Sequence, residues 1–388
     1  MRRAHLIEDL QTLIGFPTVS TSPVTAIAAF MSERFEALGF NIEHFDDPHH
    51  PGKTNVICSA GPIDATGGLV LSGHMDVVPT EGQPWTGDPF KLRTTDTGRL
   101  IGRGTADMKG FLAACLSGLE SLQVDRLRAP LVLVWTHDEE VGCHGSAHLA
   151  KTFEHLNRRL PSACWIGEPT GFEVLRKHAG HVGVEVRLQG QAAHSAYTEL
   201  GANAVVASAR VVGALDDLSR QWALRQGPEA EIGTDRPRGI PLNVANIHGG
   251  NAINIVPDRC VLQLGFRPLP GMGHSALVEE LQATLDDVRL PDGTRLESEV
   301  LRVTPSLLTR EGTHLQTLLL EHAASQQLGT AGYATDGGNL QSIGCEPLIF
   351  GPGSIQVAHQ ADEHVTVEAL EQAVDQVRSV VNACCSID

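Results

Sequence analysis

Eight cysteines are present but no Cys-x-x-Cys pair, and only Cys384 and Cys385 stand together. That spacing speaks against thiolate zinc sites and against a disulfide framework. Cys58, Cys115 and Cys164 lie in apolar runs and are expected as small buried hydrophobes, while Cys143 stands close to a pair of acids. No apolar stretch reaches the ~20 residues that span a bilayer. The first ten residues, basic at the tip and acidic soon after, lack the apolar centre of a secretory signal. A cytoplasmic location with no membrane partner is the expectation. Basic residues are also scarce: 29 Lys and Arg face 46 Asp and Glu, a formal net charge of −17. Nucleic-acid surfaces need clustered cations, so no nucleic-acid partner is expected. An acidic surface serves solubility first and only mildly favours cationic substrates. Gly102-Arg103-Gly104 lacks the spacing and the Lys-Ser/Thr ending of a phosphate loop.

At 388 residues the chain is long enough for two domains, each with its own core. Its first half alternates helical and strand patterns. Helical spacing covers 4–15 and 24–39, strand patterns cover 54–58, 68–73 and 131–136, and an Ala- and Leu-rich helix covers 108–122. Such alternation predicts an α/β domain, a mostly parallel sheet with helices on both faces. From residue 180 onward the pattern changes. Val182 to Leu188 alternates as a half-buried strand does, and a helix follows over 201–225. Residues 227–240 read as an exposed loop, strands recur over 242–248 and 258–267, and a helix covers 274–288. That is an α+β unit of domain size. Residues 1–178 and 305–388 are therefore expected to form one discontinuous domain, interrupted by an inserted domain over 179–304.

Acids and histidines stand at the ends of the apolar segments. Leu131 to Thr136 reads as a buried strand, and His137-Asp138-Glu139-Glu140 follows it. Two adjacent carboxylates thus emerge at the C-terminal end of a strand, the edge where open α/β sheets bind ligands. One of them can hold a cation while the other moves a proton. Leu69 to Gly73 likewise ends in His74-Met75-Asp76, and Gly102 to Ala106 leads to Asp107. Trp165-Ile166-Gly167 leads to Glu168, and Gly351-Pro352-Gly353-Ser354 precedes His359. Imidazole nitrogen and carboxylate oxygen are donors that zinc accepts. Asp76 follows His74 by two residues, so both project to one side of an extended segment. Its carboxylate is expected to accept the free ring N–H of His74. Several other histidines, among them His49 and His50 between Pro48 and Pro51, are read as ordinary polar residues of exposed turns.

Taken in order along nearly the whole chain, these segments resemble the zinc-dependent aminoacylase and carboxypeptidase family, whose members hydrolyse amide bonds with two metal ions. The resemblance implies that Asp107 bridges the two metals. His74 and Glu168 then complete one site, and Glu140 and His359 the other. Zinc is the expected metal, although cobalt or manganese would accept the same donors. Glu139 remains as general base, and a cis peptide is expected after Asp107. On the inserted domain, His194 in Gln191-Ala192-Ala193-His194-Ser195 matches a histidine that stabilises the oxyanion, often in the partner subunit's site, so a homodimer through that domain is implied. Asn254 and Arg267 match residues that hold the substrate carboxylate, a task suited to the planar fork of Arg. In Gly351-Pro352-Gly353-Ser354 the proline has no N–H, which leaves the backbone N–H groups of Gly353 and Ser354 to donate to the same carboxylate.

Within the family the chain is most similar to the acetylornithine deacetylases, through Gly167-Glu168-Pro169-Thr170, His248-Gly249-Gly250, Arg267-Pro268-Leu269-Pro270-Gly271-Met272 and Gly351-Pro352-Gly353-Ser354 followed by Ala358-His359-Gln360. This likeness implies a small N-acyl amino acid as substrate, N2-acetyl-L-ornithine in arginine biosynthesis. Relatives that remove succinyl groups, cleave dipeptides or release C-terminal residues are the alternatives. A catalytically silent binding protein is a further one, against which the intact set of acids and histidines argues. Glu168 resembles the deacylases and carboxypeptidases, whereas many tripeptide aminopeptidases carry Asp there. One segment departs from the deacetylase pattern: Ala334-Thr335-Asp336-Gly337-Gly338 stands where Thr-Glu-Ala is expected. Asp336 is expected on a loop that lines the substrate pocket.

Overall fold

The computed structural model describes residues 2–228 and 239–385, so the loop expected over 227–240 lies mostly outside the described residues. The chain divides into two compact units. One is Met1–Lys177 with Thr309–Thr330 and Thr335–Asp388, and the other is His178–Leu308 with Ala331–Ala334.

Strands of the first unit lie in the spatial order Asn41–Asp46, Thr54–Ala60, Leu131–Thr136, Leu69–His74, Ala163–Ile166, Glu346–Ile349 and Leu175–His178. The central four are mutually parallel, and antiparallel pairs flank them. All six residues of Leu131–Thr136 and of Leu69–His74 are buried, which is why both strands open on apolar runs, 131–135 and 69–71. Leu69, Leu71, Leu131, Leu133 and Trp135 join one core with the helices Arg2–Ile14, Thr25–Ala37, Lys109–Leu119 and Val367–Cys385. The intervening Val70, Val132 and Val134 are equally buried but stand outside that core, so the sheet is covered on both faces. Every residue of Lys109–Leu119 is buried, and Phe35 stacks on Trp135 with ring centroids 5.9 Å apart. The expected α/β class with a separate antiparallel unit holds.

The second unit is an antiparallel sheet in the order Leu242–Gly249, Arg259–Phe266, His181–Gln189, Arg295–Thr304. Burial alternates along His181–Gln189, and its buried face packs with the helices Ala204–Trp222 and Ser275–Asp286 through Val211, Leu215, Trp222, Leu277 and Leu281. The long helix starts at Ala204, later than its pattern suggests. Asn203 caps it by accepting the Val205 and Val206 amides, both at 3.0 Å. The sequence pattern does not single out Asn41–Asp46 or Arg295–Thr304. Both are edge strands with polar, half-exposed faces, where the apolar alternation is weakest. Among the described residues no helix is long and apolar enough to cross a membrane.

Parallel pairing brings the C-terminal ends of the central strands to one edge. His74 pairs with Thr136, and Ser72 and Ile349 both pair with Ile166. The chain after Ile166 must pass close to Phe111, and Gly167 permits it: a Cβ there would lie 2.0 Å from the Phe111 ring. Gly167→Ala is accordingly expected to lower the urea midpoint, a loss of about 1–3 kcal/mol by overpacking. Phe111→Leu in the same chain should recover part of that loss, and strict additivity of the two changes would refute the contact as its origin.

Candidate metal centre

Asp107 sits where the strand Arg99–Ile101 gives way to the helix Lys109–Leu119, and the peptide between Asp107 and Met108 is cis, as expected. Its two oxygens face two imidazoles. Oδ1 is 3.0 Å from His74 Nε2, and Oδ2 is 3.2 Å from His359 Nε2. Glu168 Oε1 lies 3.8 Å from His74 Nε2, and Glu140 Oε2 lies 2.9 Å from His359 Nε2. The five side chains therefore gather as two triads that share Asp107: His74, Asp107, Glu168 and Asp107, Glu140, His359, with candidate ligand atoms in each within 4.8 Å of one another. A third group in the same range joins Glu139, Cys143 and Asp336.

The donor set fits cations better than protons. His74 Nδ1 is 2.9 Å from the Asp76 carbonyl oxygen, which can only accept, so the ring proton belongs there. His74 Nε2 then turns a lone pair toward the oxygens of Asp107 and Glu168. A single nitrogen of His359 likewise stands between two carboxylate oxygens, where one proton would serve only one of them. Glu140 Oε1 is buried with no hydrogen-bond partner. Two divalent ions would accept all these lone pairs, and the residues present suit zinc, cobalt or manganese.

Charge and burial shift the protonation equilibria strongly. Burial drives the Glu139 carboxyl well above its ordinary value, and the negative charge of Glu168 adds to this. Glu168 is raised by burial and by Asp107, and Glu140 is raised to about 7 by the same two causes. Asp107 falls below its ordinary value although burial opposes it, because the imidazoles of His359 and His74 lie against its two oxygens. His359 is raised to about 10 by its hydrogen bonds to Asp107 and Glu140.

One expectation is corrected here. The Asp76 carboxylate does not take the His74 ring N–H; its Oδ1 is 3.7 Å away and the backbone carbonyl of Asp76 does so instead. The extended strand ends at His74, and the turn beyond it redirects the Asp76 side chain. That carboxylate accepts Ser20 Oγ at 2.7 Å and the amides of Glu139 at 3.1 Å and Glu140 at 3.4 Å. It holds the backbone of the acidic pair. Asp336 is buried beside the acidic pair, where it accepts Thr136 Oγ1 and Ser146 Oγ, each at 2.6 Å. Those hydroxyls flank the loop that carries Glu139 and Glu140, and Asn339 Nδ2 donates to Ser146 Oγ and to the Cys143 carbonyl. The Cys143 thiol donates to Glu139 Oε1 at 3.5 Å. Sequence reasoning missed this support; its one signal was the unusual Asp at 336.

Gly353 has φ 87°, and its carbonyl accepts the Gly171 amide, which fixes the Gly351–Ser354 turn against the segment after Glu168. His194, Asn254 and Arg267 belong to the second unit. His194 and Ile255 pair across a two-stranded ribbon, and the Ser195 amide donates to the Asn254 carbonyl, so His194 and Asn254 are neighbours. The Ala196 amide donates to His194 Nδ1 at 3.1 Å, which leaves the ring proton on Nε2. Arg267 follows the strand Arg259–Phe266 and is exposed.

The family model of peptidase family M20/M25/M40 matches residues 70–383, well over half of the chain. Solved structures with the same fold include a tripeptidase from Staphylococcus aureus, with TM-score 0.74 and 20% identity over 99% of each chain. A metallo-carboxypeptidase from Sulfolobus solfataricus has TM-score 0.73 and 17% identity over 97% of this chain and 98% of that one. A dinuclear metal binding peptidase from Bacillus subtilis has TM-score 0.68 and 15% identity over 100% of this chain and 99% of that one.

Removal of metal should expose the buried charge. A carboxyl raised in the folded state stabilises it below the ordinary value, and that contribution is lost as pH climbs through about 7 for Glu140. His359, raised to about 10, loses its contribution at higher pH in the same direction. The gain in melting temperature on adding zinc to chelator-treated protein should therefore grow from about pH 5 to about pH 8, as metal binding releases protons. A gain that shrinks over this range, read by scanning calorimetry, would contradict the assignment.

Proposed function

The chain belongs to peptidase family M20/M25/M40, and on that premise we propose that it is a two-metal N-acyl-amino-acid amidohydrolase, an acetylornithine deacetylase in its substrate preference. The observation that carries the reaction class is the shared Asp107 between two imidazole-carboxylate triads with Glu139 beside them. His74, Glu168 and Asp107 would hold one cation, and Glu140, His359 and Asp107 the other, with zinc the preferred ion. Bound there, divalent cations supply Lewis acidity toward the scissile carbonyl and acidify the attacking water.

Glu139 acts as general base. It takes a proton from the attacking water and later delivers it to the leaving amine. Burial and the Glu168 charge raise its carboxyl well above the ordinary value. His194 presents an Nε2–H, the tautomer that can donate to the carbonyl oxygen as it gains charge. Arg267 and Asn254 receive the α-carboxylate of the substrate, assisted by the amides of Gly353 and Ser354. Glu168 as a terminal carboxylate, with the Arg267-Pro268-Leu269-Pro270-Gly271-Met272 motif, favours deacylation of an amino acid over aminopeptidase action. Cleavage of small peptides is the second reading, supported by the peptidase names of the similar structures.

A homodimer through the inserted domain is part of the proposal. The strand Leu242–Gly249 is an open edge, and Leu200, Val206, Ile247, Ile253 and Ile255 of the same unit are exposed. Soluble monomers expose few large apolar side chains together, and an open edge with such neighbours suits an isologous pairing.

Turnover of N2-acetylornithine, succinyl-diaminopimelate and simple dipeptides with zinc or cobalt decides the substrate class. Acetylornithine should be the fastest, and a dipeptide or succinyl substrate turned over far faster would replace the deacetylase reading. Glu139→Gln should keep both cations by elemental analysis yet lose at least ~100-fold in kcat; wild-type turnover in that variant would remove it as base. Mixing His194→Ala subunits with Glu139→Gln subunits should restore one working site per mixed dimer. No recovery despite proven subunit exchange would place His194 outside the partner's site.

A further inference from the structure

Arg103 lies in Gly102-Arg103-Gly104, the segment that is not a phosphate loop, and the reaction described above gives it no task. It is 1% exposed, and its partner Glu363 is 0% exposed. Arg103 Nη1 donates to Glu363 Oε2 at 2.6 Å. The other oxygen of Glu363 accepts the amides of Ala106 at 2.9 Å and of Asp107 at 3.0 Å. On the opposite branch, Arg103 Nη2 donates to Gln83 Oε1 at 2.6 Å, and Gln83 Nε2 donates to the His359 carbonyl at 2.9 Å. The Trp85 indole also donates to Gln83 Oε1, at 3.0 Å, and its ring lies 5.0 Å from the Arg103 guanidinium carbon.

Stability alone accounts poorly for this arrangement. A fully buried ion pair must offset the desolvation of both charges, and Arg103 Nε is left without a partner. Geometry accounts for it better. His359 holds a left-handed backbone, φ 62°, which a non-glycine residue keeps only where its surroundings impose it. Gln83 grips that backbone, Glu363 grips the backbone of Asp107, and one planar guanidinium joins the two grips at fixed separation.

We propose that Arg103 is a positioning residue that, through Glu363 and Gln83, sets the spacing between Asp107 and His359 and so the site for the divalent cation these two residues would share with Glu140. The proposal rests on the two-metal reading of the centre. It assigns no contact between Arg103 and substrate.

Apo protein is titrated with zinc against a competing chelator, and cobalt-loaded protein is followed by its visible absorption. Wild type should take up two zinc ions. Arg103→Met should weaken both sites, because Asp107 belongs to each, by about 10–100-fold. Gln83→Leu, which leaves the buried Arg103–Glu363 pair intact, should weaken one site by about 10-fold and leave the other unchanged. It should also alter the cobalt spectrum and lower kcat more than it changes KM. If Arg103→Met does not fold, Gln83→Leu decides the matter alone. Wild-type affinity at both sites with an unchanged cobalt spectrum in Gln83→Leu would overturn the positioning role. Wild type that binds fewer than two ions would instead overturn the two-metal reading.

Discussion

Four carboxylates, Asp107, Glu139, Glu140 and Glu168, converge at one sheet edge, and Asp107 and Glu168 among them are almost wholly buried. Like charges at that distance in a poorly solvated place repel strongly and cannot all ionise unless positive charge joins them. The rest of the structure answers to this constraint. Two imidazoles enter between the acids, and the remaining deficit of positive charge is what makes the centre a candidate cation site. The chain holds the acids by their backbones as much as by their side chains: Asp76 takes the amides of Glu139 and Glu140, and Glu363 takes those of Ala106 and Asp107. Gripping the backbone leaves the carboxylate oxygens free to face a cation.

Those grips are themselves carboxyl groups. Asp76, Asp336 and Glu363 surround the centre and bind hydroxyls, amides and one guanidinium. An amide accepting less strongly would hold these groups more loosely, since a charged acceptor makes shorter and stronger hydrogen bonds.

Parallel strands show themselves in sequence because both faces are buried: the runs at 69–71 and 131–135 are apolar, and His74 and Glu140 come within a few residues of their ends. His74, Glu140 and Glu168 were legible for that reason, and Asp107 and His359 through a family resemblance that spans the chain. The supporting contacts were not legible. Asp336 meets Thr136 across 200 residues, and Arg103 meets Glu363 across 260. Nothing local marks such pairs, since a buried acid and an exposed one look alike in sequence. The side of the chain to which Asp76 turns also depends on where the strand stops, which a period-2 pattern does not define to the residue. Edge strands such as Arg295–Thr304 were lost because polar faces dilute the alternation.

Adjacent residues on an extended strand point to opposite faces, so a Glu-Glu pair on the strand itself could not serve one site. The strand ends at Thr136, and Asp138 takes a left-handed conformation, φ 52°, that turns the chain before Glu139. Asp138 is held there by Lys53, whose ammonium lies 2.5 Å from its carboxylate and also donates to the Ser20 carbonyl. Ser20 in turn donates to Asp76, which closes a ring of contacts around the turn. The outcome is a division set by geometry before any chemistry begins. Glu140 joins Asp107 and His359, whereas Glu139 joins Cys143 and Asp336. Two chemically identical side chains thereby acquire different neighbours, one among the imidazoles and one beside a thiol and a second acid. The proposed roles of ligand and base follow from which oxygen has a cation site to face and which has only a proton to exchange.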